Sequence, residues 1–153
     1  MATTATPQSR TPVHLWIVGI LALLWNCFGA YDYLMTRLHN MDYIAASMPG
    51  VDPNAVLAWV EGMPIYSQIG WGLGVWGGLL GAILLLARSG WSVWSYAVSA
   101  IGMVLSLGYQ LAAAPPLPGA DSEMYKIMPY VIIVLGVAQL AYSYAMNKRG
   151  VLR

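Results

Sequence analysis

A chain of 153 residues in which 59% are hydrophobic and 8% charged cannot cover a water-soluble globule with polar side chains; soluble domains run at roughly 45–50% apolar and about 25% charged. The net charge of +1, with no basic cluster, gives no case for nucleic acid. The lone Cys27 has no partner for a disulfide and suggests no metal site.

Residues 1–12, rich in Thr, Ser and Pro, have too little apolar surface to fold and read as a disordered cytoplasmic tail. Apolar runs then follow at 13–36, 65–87, 91–112 and 127–147, and Asp32 is the only formal charge inside them. Each run can cross a hydrocarbon core of about 30 Å as a helix rising 1.5 Å per residue. Strands are excluded, because Ile83-Leu84-Leu85-Leu86 and Val131-Ile132-Ile133-Val134-Leu135 are apolar on every face where a barrel strand would alternate. The expected fold is all-α, a single integral membrane domain over 13–147 forming a four-helix transmembrane bundle. Arg10 ahead of the first run and the small-x-small Cys27-Phe28-Gly29 admit one alternative, a cleaved signal peptide that would leave three helices.

The longest connection, after Arg37, predicts a short outer-surface helix at about 53–61: Asp52 can cap it, Pro53 suits its first turn and Gly62 its exit. Val56, Leu57, Val60 and Met63 recur at helical spacing, and Trp59 favours the headgroup layer. The segment reads as a lid over the bundle end or, in a functional reading, as a gate or partner-docking element. Arg88-Ser89-Gly90 is a tight turn that makes the second and third transmembrane helices antiparallel neighbours. Ala114-Pro115-Pro116-Leu117-Pro118-Gly119 predicts a stiff extended crossing. Pro129 is expected in the first turn of the last helix, and residues 148–153 as a second cytoplasmic tail.

Short-loop Lys and Arg set orientation. Arg10, Arg88, Lys148, Arg149 and Arg153 fall on the side that holds both termini, whereas Arg37 and Lys126 face five acidic residues on the other. The expected topology is N-in/C-in, in a bacterial inner (plasma) membrane. Trp16, Trp91, Trp94, Tyr66, Tyr125 and Tyr130, near helix ends, read as belt anchors.

Few polar groups could carry function. Asp32 lies roughly 12 Å outward of a span centred near Leu24, at 1.5 Å per residue. It reads either as a carboxylate that snorkels or pairs with Arg37 or Lys126, or as a proton- or cation-coupled site. Trp25, Phe28, Gly29 and Asp32 share a helical face, with Asn26 on the adjacent one. Asn26, Gln110 and Gln139 read as amides bonding across helices, and together with Asp32 they form the candidate ion or substrate site if they converge. Gly70, Gly74 and Gly78, four apart and extended by Gly77 and Gly81, let a neighbouring backbone approach, with Gly102 and Ser99 or Ser106 expected opposite. No catalytic residues are assigned, because His14 and His39 stand roughly a membrane apart at about 1.5 Å per residue and provide no nucleophile–base pair. No GxxxxGK[ST], CxxC or HExxH pattern implies a cofactor or metal.

Trp25-Asn26-Cys27-Phe28-Gly29-Ala30-Tyr31-Asp32-Tyr33, then Pro64, Gly70-Trp71 and Trp76-Gly77-Gly78-Leu79-Leu80-Gly81-Ala82, resemble a group of small uncharacterised bacterial four-helix inner-membrane proteins. Some of these carry the automatic label "sugar transporter", and the chain is also similar in size and helix count to DoxX-like membrane proteins. The resemblance implies the four-helix fold and, through the label, solute transport. Two readings follow. One is a non-enzymatic accessory or assembly subunit of a larger membrane complex, working through helix–helix contacts. The alternative is a small-solute, sugar-type transporter, which would need a homo-oligomer to enclose a path.

Overall fold

A computed structural model describes residues 11–153, and every regular element among them is a helix. The helices are α1 (Val13–Arg37), α2 (Met41–Ser47), α3 (Pro53–Glu61), α4 (Ile65–Leu86), α5 (Trp91–Ala112) and α6 (Glu123–Lys148). Four of them, α1, α4, α5 and α6, are long and apolar enough to cross a membrane. The tail reading of residues 1–12 lies outside the described residues but for Thr11 and Pro12, the latter preceding α1.

α1 packs on α4, α4 most extensively on α5, and α5 on α6. The start of α1 and the end of α6 therefore lie at the same end of the bundle, with the α4–α5 turn beside them. There Leu15, Ala22, Ala82, Leu85, Tyr96, Met146, Val151 and Leu152 form the main core. The turn is held from outside. Arg88 adopts a left-handed φ of 58°, a conformation disfavoured for a residue with a Cβ. The last residues brace it: Gly90 N–H donates to Arg153 O and Arg153 N–H to Arg88 O, both at 2.7 Å, while the Arg88 guanidinium reaches Val151 O at 3.3 Å. Residues 151–153 are thus docked rather than a free tail, with Val151 and Leu152 buried.

The opposite end is closed by connections. α2, which no strong periodicity announces, is capped by Asn40, whose side chain accepts from Tyr43 N–H at 3.0 Å. α3 has Asp52 at its cap, Pro53 in its first turn and Gly62 at its exit. Ile44, Val51 and Val56 form a second small core, against which Leu117, Ala120 and Tyr125 pack; Tyr125 therefore turns inward instead of joining the aromatic belt. Trp59 likewise ties α3 to the extended crossing, donating from Nε1 to Pro115 O at 2.7 Å.

One boundary needs correction. α6 starts at Glu123, not at 127, because Ser122 caps it and Glu123 pairs with Lys126 at 2.8 Å. These charged residues kept the first turn out of the apolar run. Pro129 accordingly sits in the second turn, inside the helix, where it cannot donate to the carbonyl of Tyr125.

Candidate functional site

Asp32 is half-buried near the end of α1, and its carboxylate accepts a hydrogen bond from the Tyr43 hydroxyl at 2.9 Å. Tyr43 is fixed by the Asn40 cap of α2 and by an edge-on contact with Tyr31, centroids 5.3 Å apart. Burial, reinforced by the bond to Asp32, pushes the Tyr43 phenol above the ordinary tyrosine range, so it stays protonated and donates.

Neither cation expected beside Asp32 is there. Lys126 pairs with Glu123, and Arg37 donates to Gln68 Oε1 at 3.0 Å while its guanidinium lies 5.5 Å from the Tyr33 ring centroid and 5.4 Å from that of Trp71. Aromatic faces attract such a cation, and four residues separate Tyr33 from Arg37, one turn of α1. Arg37 thereby joins α1 to α4 and leaves Asp32 with a neutral partner. That spacing was available in the sequence; the role of Tyr43 was not, because it depends on the fold-back of α2.

Asn26 lies deeper, and its amide donates to Ala22 O at 2.7 Å and to Gln139 Oε1 at 2.8 Å, bridging α1 to α6. Its oxygen occupies the place a Cβ on Gly78 would take, so this glycine is small for Asn26's sake. Gln110 belongs to neither group: it donates to Ser106 Oγ, one turn back in α5, at 3.1 Å. The four polar residues therefore stand in three places. A polar pair that sequence patterning missed, Ser92 and Ser143, is fully buried and hydrogen-bonded between α5 and α6.

The glycine stripe of α4 is occupied within the chain. A Cβ on Gly70 would meet Leu105 Cβ at 2.7 Å and Gly102 O at 2.8 Å; one on Gly77 would meet Ser99 N at 3.0 Å; one on Gly81 would meet the Tyr96 ring at 2.8 Å. Ser99 Oγ donates to Gly74 O at 2.6 Å and Ser95 Oγ to Gly77 O at 2.8 Å. Close approach and interhelical bonding thus occur on one face, as small-residue interfaces in membranes allow.

An open recess lined by Ala58, Trp59, Gly62, Met63, Tyr109, Ala114 and Pro115 lies at the loop end, remote from Asn26 and Gln139. Comparison with protein families, with curated proteins and with solved structures found no match.

Proposed function

We propose that this small multi-pass membrane protein is a non-enzymatic accessory or assembly subunit, seated in a bacterial inner membrane with both ends cytoplasmic and acting through helix contacts with a larger complex. The observation that carries this reading is the dispersal of the polar groups. Asn26 and Gln139 bond to each other, Gln110 bonds within α5, and Asp32 bonds to Tyr43. A solute path needs such groups to converge on one cavity. The basic residues Arg88, Lys148, Arg149 and Arg153, gathered at the end that holds both termini, support the orientation.

The test is extraction of the tagged, full chain from its native membrane in mild detergent, with identification of every co-eluting chain and measurement of particle mass. A stoichiometric foreign chain is the expected result. A homo-oligomer that takes up a sugar into vesicles, with uptake lost in Asp32→Asn, would replace this reading with the transporter suggested by the label on the resembling group.

A further inference from the structure

Asp32 is a half-buried carboxylate on a membrane-crossing helix, and no Lys or Arg among the described residues lies within ion-pair distance of it. A charge in such a segment ordinarily finds an opposite charge or a water-filled path. One turn below, Gly29 opens a notch: nothing stands within 4 Å of where its Cβ would be, whereas a Cβ on Gly19 of the same helix would strike Leu86. Exposed Leu24, Phe28 and Tyr31 flank the notch. α6 has its fully buried residues, Ser143 and Met146, at its far end, and its hydrogen bond to α1 is made one turn below Gly29, at Asn26.

The geometry points to the Gly29–Asp32 surface of α1 as a docking site for a transmembrane helix of a partner protein carrying a lysine or arginine at the depth of Asp32. This identifies the partner's chemistry for the assembly role above and rests on that reading. The glycine admits a neighbouring backbone, and the carboxylate, oriented by Tyr43, supplies the charge that selects it. A second copy of the chain is disfavoured as occupant, because a two-fold contact places the same patch on both partners and sets Asp32 against Asp32.

The full-length protein would be reconstituted in phosphatidylcholine vesicles with dansyl-labelled Leu/Ala transmembrane peptides, following energy transfer from its tryptophans. One peptide carries a single lysine roughly 12 Å from its midpoint, eight residues at 1.5 Å each; its control is all apolar. The lysine peptide should associate about three- to twentyfold more tightly, the range spanned by one interhelical polar contact. Asp32→Asn should abolish that preference. Gly29→Leu, whose Cβ meets nothing within 4 Å in the folded chain, should weaken the lysine peptide's association.

Equal association of both peptides, or a preference that survives Asp32→Asn, overturns the charge pairing. Insensitivity to Gly29→Leu overturns the surface. Loss of the preference when phosphatidylethanolamine is added shows that an amine headgroup occupies the carboxylate and overturns the helix partner. None of these outcomes bears on whether a foreign chain co-elutes, so failure here is distinct from failure of the assembly role.

Discussion

Gly102→Ala and Gly74→Ala make the same chemical change on opposite sides of one helix pair, yet they should differ sharply. A Cβ on Gly102 would sit 2.5 Å from Gly70 O and 2.8 Å from Leu73 Cβ, whereas one on Gly74 would find its nearest neighbour, Met103 N, at 3.5 Å. Ordinary contact lies near 3.5 Å, so Gly102→Ala requires α4 and α5 to separate by several tenths of an ångström or more against backbone atoms that cannot rotate away. Overpacking of this kind costs about 1–3 kcal/mol. The separation also lengthens the Ser99–Gly74 and Ser95–Gly77 bonds, now 2.6 and 2.8 Å, each worth about 0.6–1.7 kcal/mol. The expected loss is about 2–5 kcal/mol. Gly74→Ala requires no movement and gains helix propensity, up to about 1 kcal/mol in water, so it should be neutral or slightly stabilising. Reversible unfolding in mixed detergent–SDS micelles measures both. Equal costs at the two positions, or a loss below about 0.5 kcal/mol at Gly102, would refute the inference that backbone-to-backbone approach of α4 and α5 is what the glycines provide.

A double-mutant cycle of Asn26→Ala and Gln139→Ala should return a coupling of about 0.6–2 kcal/mol in the same unfolding assay; additive single costs would mean the two amides do not share a bond. Tyr96→Phe should be neutral or stabilising by about 1 kcal/mol, because the Tyr96 hydroxyl is buried with no hydrogen-bond partner among the described residues; a large loss would reveal a partner. Deleting residues 151–153 removes buried Val151 and Leu152 and frees the strained Arg88 turn, so thermal stability in detergent should fall, and unchanged melting would show that the docked segment braces nothing. For Tyr43 the sign runs with alkali: a phenol whose pKa is raised on folding contributes stability that is complete below its ordinary value of about 10 and lost as pH rises above it. Unfolding measured between pH 9 and about 11 should therefore steepen less in Tyr43→Phe than in the wild type. By NMR of ring-labelled tyrosine, Asp32→Asn should lower the Tyr43 midpoint without restoring the ordinary value, since burial, the larger cause, remains.

What could be read from the sequence and what could not divide along physical lines. The spans of α1, α4 and α5 are legible because only long apolar runs can satisfy a hydrocarbon solvent, and α3 because Asp52, Pro53 and Gly62 punctuate it within ten residues or so. The facing of α4 and α5 is legible too, since a three-residue turn allows nothing else. The start of α6 was hidden by its charged first turn, because a hydropathy run ends where water begins while a helix continues to its cap. The partner of Asp32 was hidden for a different reason: it comes from α2, a helix of seven residues whose only advance sign is the Asn40 cap.

The same division separates the two halves of the molecule. At the end shared by the start of α1 and the end of α6, Ser92–Ser143, Asn26–Gln139 and the docked residues 151–153 join α6 to the other helices, and the fully buried residues of α6 lie there. Toward the loop end the partners change: α4 holds α5 through glycine and serine, α1 holds α4 through Arg37 and Trp71, and α6 has no fully buried residue, only Tyr125 packing on the small core of the connections. Polar groups in a membrane bundle are costly unless bonded. In the half that holds the start of α1 and the end of α6, Ser92 is bonded to Ser143 and Asn26 to Gln139. In the loop half the hydrogen-bond partner of Asp32 among the described residues is a phenol, and one turn away nothing stands within 4 Å of a Cβ on Gly29. Arg37, five residues along the same helix and so on another face of it, is bound to α4 instead. With Arg37 committed to α4, the charge of Asp32 is free to select whatever packs against α1.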